Sequence, residues 1–309
     1  MTKKKLLRIV LLVVVLVMVL DVGFGRCMSW YLTHNDIPGD YRKIEYMLKG
    51  INTQILFLGA STCMNSIKPE VLERGLGKSV FNGGLNDQRL EFFDVMSEAV
   101  LSHSSPELLI LVLRQNDLVI HSNGRLKMMN IYYHLGNTKL DAYLNEGSLK
   151  KKILLNSAFY RFNTYWWRIL LYHFKSFDEL ASGGFVGKPV PKVLPYRLDA
   201  TQEVDANLSV DHRKMLCINN IFAACRKAGT KLWVLIPPEY YIRNKGVESS
   251  ALSHIHMFCN ENNIPFFDDS QHPDFMDHPE YFYDNNHLNA NGAEVYTQFF
   301  LKRLKEEGI

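Results

Sequence analysis

The sequence predicts an α/β protein built on a parallel sheet. Three observations predict it. The runs Ile55–Leu58, Leu108–Leu113 and Leu232–Ile236 are apolar at every position, as strands covered by helices on both faces require, whereas a sheet with one wet face would alternate. Amphipathic stretches separate such runs at spacings of about 20 to 30 residues, apart from one long interruption. Turn formers close them: Gly59 after the first, Asn116-Asp117 after the second and Pro237-Pro238 after the third.

Composition bounds the rest. A chain of 309 residues with 47% apolar content can bury a full core. The net charge of +3 is small and the basic residues are dispersed, which argues against a nucleic-acid partner. Five cysteines (Cys27, Cys63, Cys217, Cys225, Cys259) form an odd set without CxxC spacing, so neither a disulfide framework nor a zinc site is expected.

The first segment carries a strong physical signal. Lys3, Lys4, Lys5 and Arg8 precede an aliphatic run from Ile9 to Leu20, which reaches Phe24 if Asp21 is tolerated near an interface. Counted from Leu6, that is about nineteen residues, close to the ~20 that span hydrocarbon. A cleaved signal peptide is the rival reading, with Gly23 and Gly25 as small residues near a cut site, but no clear A-x-A pattern follows. A buried core helix fits poorly with a run apolar on every face. Residues 1–26 are therefore read as a membrane anchor or signal, with the Lys cluster cytoplasmic and the body of the chain outside the cytoplasm. Residues 27–53, with Pro38-Gly39 as a turn, read as a juxtamembrane linker, and 54–309 as the main domain.

Within that domain the first strand, Gln54–Leu58, stops at Gly59, and Ser61 follows two residues later, before a segment with helical character from Ile67. A short helix is expected around Pro69–Arg74, a second strand at Ser79–Phe81, and then a loop rich in turn formers, Asn82-Gly83-Gly84-Leu85-Asn86-Asp87. Helical spacing from Gln88 to Ser102 leads to the third strand, Leu108–Leu113. The interruption at about 121–202 holds Lys150-Lys151-Lys152, an aromatic stretch from Phe159 to Tyr172 and a Gly/Pro-rich strip, Gly183–Pro195. Three readings stay open for it: an insertion with its own aromatic core, a lid over an acceptor groove, or a membrane-surface contact through its lysines and tryptophans. Alternation resumes with a helix at Val210–Ala228 capped by Gly229, a strand at Lys231–Ile236, a helix at Ser249–Asn263, a short strand at Pro265–Asp268, a polar loop, and a last helix from about Ala290 to Glu307.

Ser61, the Asn82–Gln88 loop, Asn116 and Asp284-Asn285-Asn286-His287 each follow a predicted strand or precede the last helix. In a parallel sheet the carboxyl edge is where ligands bind. An Asp and a His three apart on a turn can pair, fixing the imidazole tautomer so that its other nitrogen acts as a base toward Ser61. The Asn116 side chain and the backbone N–H groups of Ser61 and of the second loop are candidates for binding an oxyanion. His272 and His278, near Asp274 and Asp277, lack the regular spacing of metal ligands.

Gly59-Ala60-Ser61, the Asn82 loop, Asn116-Asp117 and Asp284-x-x-His287-Leu-Asn-x-x-Gly292 together resemble the four sequence blocks of the SGNH (GDSL-type) hydrolases. The resemblance implies a three-layer, flavodoxin-like fold with a five-stranded parallel sheet, Ser61 as nucleophile, His287 as base with Asp284, and no metal or cofactor. It also implies that the oxyanion donors are Ser61, Asn116 and the backbone N–H at Asp87, where the family usually carries Gly. Arg114 stands at another position usually occupied by Gly, and is expected to pair with Asp87 or hold an anionic substrate. With an anchored N-terminus, the chain is similar to envelope-associated members found with bacterial surface-polysaccharide genes. The expected function is a serine esterase acting on O-acyl groups, O-acetyl above all, of an envelope glycan or another ester. The alternatives are an O-acyltransferase using the same serine, or a non-catalytic glycan-binding or assembly protein.

Overall fold

The computed structural model describes residues 2–35, 37–114, 117–119, 126–133, 138–145, 147–163, 165–172, 174, 180–190, 210–240 and 250–309. In chain order the elements are α1 (Lys3–His34), α2 (Asp40–Lys49), β1 (Ile55–Gly59), α3 (Ser61–Ser66), α4 (Pro69–Leu76), β2 (Val80–Asn82), α5 (Leu90–Leu101) and β3 (Leu108–Val112). After a 3₁₀ turn at Leu126–Tyr132 come α6 (Thr138–Asn145), α7 (Leu149–Asn156), α8 (Ala158–Phe162), α9 (Trp166–Tyr172), α10 (His212–Ala228) and β4 (Lys231–Ile236). The chain ends with α11 (Ser250–Glu261), β5 (Phe266–Asp268), α12 (Pro273–Met276), β6 (Phe282–Asp284), β7 (His287–Leu288) and α13 (Ala290–Glu306). Two compact units result: Met1–Tyr41 with Arg125–Phe177, and Arg42–Gly124 with Asp178–Ile309.

In the first unit α1 is long and apolar enough to cross a membrane, and none of its most apolar stretch is buried. Its last third differs: Gly25, Met28 and Leu32 are buried. Where a linker is expected over 27–53, the structure instead continues α1 to His34 and forms α2 at Asp40–Lys49. The chemistry explains the difference, because no proline or turn pair interrupts Arg26–His34. The break comes at Pro38-Gly39, with Gly39 at φ 88°. The region read as an insertion holds the helices α6 to α9 between Thr138 and Tyr172, and residues 180–190 belong to the second unit.

In the second unit, β1–β5 form a five-stranded sheet in the order β2-β1-β3-β4-β5, with every neighbouring pair parallel. This is the flavodoxin-like order, whose direction of winding reverses between β1 and β3. The register sets Ile55 beside Val80 on one side and Leu108 on the other. Burial on both faces explains the unbroken apolar runs. Ile55, Phe57, Leu108, Ile110, Val112, Trp233 and Leu235 pack toward α13 through Ala293, Tyr296, Phe300 and Leu304. The alternate residues Leu56, Leu58, Leu109, Leu111 and Val234 are equally buried, on the side that α5 and α10 cover. Phe300 is the centre of the first layer, with its ring against Phe57, Phe267 and Tyr296.

Truncating that ring removes the contacts of α13 with Phe57 and Phe267 of the sheet. Phe300→Ala is expected to destabilise the second unit by about 3–5 kcal/mol, read as a lower urea midpoint at unchanged slope. A change under ~1 kcal/mol would mean that the layer collapses around the gap.

Candidate active site

Strand β1 delivers Ser61 to the carboxyl edge of the sheet beside the winding reversal. Ala60 is extended (φ −74°, ψ −158°) and Ser61 is the first residue of α3. The helix therefore starts at Ser61 itself, not near Ile67, and Ile67 lies in extended backbone at its end. Little in Ser-Thr-Cys-Met-Asn-Ser favours a helix; tertiary bonds hold it. The buried Asn82 side chain donates to the carbonyls of Cys63 (2.9 Å) and Ile67 (2.8 Å). Val186 N–H donates to Met64 O, and Lys68 N–H donates to Thr297 Oγ1 of α13 at 3.0 Å.

The segment carrying Asp284 and His287 is a two-stranded antiparallel hairpin, β6–β7, where the sequence suggested only a loop. Its placement depends on Asn289. That fully buried side chain donates to the carbonyls of Glu280 and Phe282 and accepts from the N–H groups of Asn291 and Gly292, so it joins the hairpin to the start of α13. A Cβ on Gly292 would lie 2.2 Å from Tyr281 O, so only glycine permits this approach. Asn285 ties the turn to the segment after β4 by donating to Tyr240 O and accepting from Tyr240 N–H.

These supports bring three predicted residues together. Ser61 Oγ lies 2.8 Å from His287 Nε2, and His287 Nδ1 lies 2.7 Å from Asp284 Oδ1. A carboxylate facing Nδ1 favours the proton there, which leaves Nε2 as the acceptor for the Ser61 hydroxyl. Burial pushes the Asp284 carboxyl pKa up, but the bond and charge of His287, the N–H of Asn286 and the charge of Lys188 outweigh it and hold the group below its ordinary value of 3.8. The neighbouring Cys63 is no rival nucleophile: burial pushes its thiol up to about 12.

The loop after β2 passes beside the serine. Gly83 N–H donates to Phe57 O and Leu85 N–H to Gly59 O, so the loop continues the pairing with β1. Gly84 is pressed against α3, where a Cβ would meet Met64 N at 2.4 Å. Asp87 is exposed and adopts the left-handed conformation at φ 59°. That is the backbone a glycine accepts freely, and Asp is among the few other residues that visit it. Arg114, at the end of β3, donates through Nε and Nη2 to Asp117 at 3.3 and 3.1 Å, while its backbone N–H also donates to Asp117. Asn116 lies outside the described residues.

One residue near this loop escaped the sequence reading. Lys43 of α2 is fully buried, and its Nζ donates to Gly84 O at 2.5 Å and Gly184 O at 2.6 Å. Gly184 sits at φ 90°, and a Cβ there would collide with Asn82 O at 2.1 Å. In a stretch read as a juxtamembrane linker a lysine reads as a solvated cation, so nothing in the pattern marks it. Asn82 and Asn289 likewise stand in the sequence only as motif letters, and their roles come from the bonds above. Among the described residues, no group of three or more His, Cys, Asp or Glu side chains is arranged to hold a metal ion.

No protein-family model matches the chain, and no curated protein matches it. Solved structures do resemble it. One is a protein proposed as a lipolytic member of the G-D-S-L family from Desulfitobacterium hafniense, 11% identical, covering 80% of this chain and 97% of its own, with a TM-score of 0.39. Another is a proposed acylhydrolase from Bacteroides fragilis, 12% identical, covering 81% of this chain and 86% of its own, with a TM-score of 0.38. A GDSL-like lipase from Bacteroides thetaiotaomicron is 10% identical, covers 90% of this chain and 99% of its own, and has a TM-score of 0.36. The likeness is to GDSL-type proteins. At these scores it carries no weight in assigning chemistry, which rests on the side-chain geometry above.

Two outcomes are expected. Lys43→Met strands two carbonyls and should cost about 1–3 kcal/mol for each left unpaired, measured by chemical unfolding; wild-type stability would show that water replaces the ammonium. The lowered Asp284 pKa means that its contribution to stability is present above its ordinary value of 3.8 and is lost as pH falls through the lower folded-state value. The stability gap between wild type and Asp284→Asn should therefore be maintained above pH 3.8 and shrink below it. A gap that is constant with pH would remove the carboxylate from that role.

Proposed function

We propose that the chain is an SGNH-type serine esterase that removes O-acyl groups, O-acetyl above all, from an envelope glycan. The observation that carries the chemistry is the continuous pair of hydrogen bonds from Ser61 Oγ to His287 Nε2 and from His287 Nδ1 to Asp284 Oδ1. A hydroxyl bonded to an oriented imidazole can lose its proton as its oxygen attacks a carbonyl carbon.

His287 takes that proton on Nε2 while Ser61 Oγ bonds to the acyl carbon. Asp284 stabilises the imidazolium that forms. The oxyanion is assigned to the backbone N–H groups of Ser61 and Asp87 and to the Asn116 side chain. Asp87 supplies its backbone N–H from the left-handed conformation at φ 59° that a glycine would adopt there. Collapse of the tetrahedral intermediate transfers the Nε2 proton to the departing sugar oxygen. Water, activated by the same nitrogen, then frees the acid and Ser61. Arg114, steadied by Asp117, is assigned to substrate contact. None of these steps calls for a cofactor.

The glycan and the location rest on the sequence resemblance and on α1. We read α1 as an uncleaved anchor with the second unit outside the cytoplasm. Its retention is supported by packing beyond the apolar run: Asp21 binds the start of α8, and Gly25, Met28 and Leu32 are buried. A cut near Gly23 or Gly25 would take away the α8 partner.

A fluorophosphonate probe should label the wild type and not Ser61→Ala; equal labelling of both would sink the serine mechanism. Asp284→Asn should lower kcat on a phenyl acetate by roughly 10⁴-fold through loss of the correct tautomer. Single-turnover release of acetate from O-acetylated glycan, with and without an acceptor sugar, separates hydrolysis from transfer. Acid appearing at one rate in both cases is the expected result, and diversion of the acetyl group to the acceptor would replace esterase with transferase.

A further inference from the structure

We propose that α7 and α8 lie in the membrane interface, forming an apolar collar on a lipid bilayer where α1 leaves it. The inference rests on the reading of α1 as an uncleaved anchor and adds a second lipid contact to it. The depth of α8 follows from α1. A hydrocarbon core of ~30 Å takes about 20 helical residues, so counting from Lys5 places the far boundary near Phe24 and Gly25, just past Asp21.

At that level α8 is clipped to α1. Asp21 accepts from Ser157 Oγ at 2.9 Å, from Ala158 N–H at 2.9 Å and from Phe159 N–H at 2.7 Å. Phe24 stacks on Phe159 with ring centroids 5.2 Å apart and meets Phe162 edge-on at 6.0 Å. Gly25 admits the close approach, since a Cβ there would stand 2.6 Å from Ala158 Cβ. The carboxylate is thus satisfied by the open end of a short helix instead of by water, which suits a charge at the edge of a low-dielectric layer.

Helix α7 packs against α8. Its outward side is apolar: Leu149 is 73% exposed, Ile153 62% and Leu154 37%, and Phe159 of α8 is 45% exposed. Lys150 and Lys152 are exposed beside them. Apolar side chains with interleaved lysines match an interface, where the apolar groups enter the acyl region and the ammonium groups reach up to anionic headgroups. Lipid is the occupant because the patch is continuous, through Asp21 and Phe24, with a helix whose apolar stretch is itself unburied.

The test uses the full chain carrying Cys27→Ser, with single bimane-labelled cysteines at Val14→Cys, Leu149→Cys, Ile153→Cys and, as an exposed control, Lys302→Cys, in phosphatidylcholine–phosphatidylglycerol vesicles. Spin-labelled lipids quench from a shallow or a deep acyl position. The label at 14 should respond most to the deep quencher, and those at 149 and 153 to the shallow one, several-fold more than the label at 302. Quenching at 14 with 149 and 153 no different from 302 would overturn the collar and leave the anchor standing. No quenching at 14 would overturn the anchor itself. Labels at 149 and 153 shielded from both lipid quencher and aqueous iodide would show the face covered by protein, which also overturns the proposal.

Discussion

The 2.8 Å bond between Ser61 and His287 joins residues 226 positions apart, and it depends on locking α3 to α13. The lock is Thr297, whose Oγ1 accepts from Lys68 N–H, supported by the Lys68–Glu294 pair and by the packing of α13 on the sheet through Phe300. Because two helices with buried apolar faces have few ways to settle on one sheet, the position of a hydroxyl at the start of one and an imidazole just before the other is set by the core. The polar network around Asn82 and Asn289 then trims that position to hydrogen-bond accuracy.

What was legible in the sequence followed from burial. β1, β3 and β4 announce themselves because both faces of each are covered, so no polar residue breaks the run. The Asp284–His287 pair was legible for a different reason, as an Asp and a His three apart on a turn can pair. Elements held by side-chain-to-backbone bonds left no periodic trace. Helix α3 is six residues of mostly poor helix formers kept helical by Asn82 and by contacts from α13. The β6–β7 hairpin has two- and three-residue strands, too short for alternation to register. Lys43 was invisible because a lysine in a stretch read as a linker counts as surface unless the backbone carbonyls that receive it are known, and those lie at positions 84 and 184.

Asp87 illustrates how a motif letter can change while the backbone requirement persists. The position needs φ near +60°, which costs most L-residues steric strain and Asp comparatively little. The change therefore keeps the left-handed backbone that glycine would adopt there. Arg114 follows a similar logic at the end of β3. A long cation beside a site would be disruptive if it roamed, but Asp117, three residues on, receives both its guanidinium and its backbone N–H. Each departure from the motif is thus accommodated locally, without a compensating change elsewhere in the sheet.

Asp21 shows the same principle in the first unit. A carboxylate at the end of an aliphatic run reads as an imperfection in the run, something tolerated near water. Its three bonds to the start of α8 give it a constructive role instead, since an α-helix begins with N–H groups that have no intrahelical partner, and a buried or half-buried start must find acceptors. An aliphatic side chain at position 21 would extend the apolar run, yet leave those donors without this acceptor. The charge is therefore retained where two requirements meet, the end of the apolar run and the beginning of a helix packed against it, and neither requirement alone would have selected it.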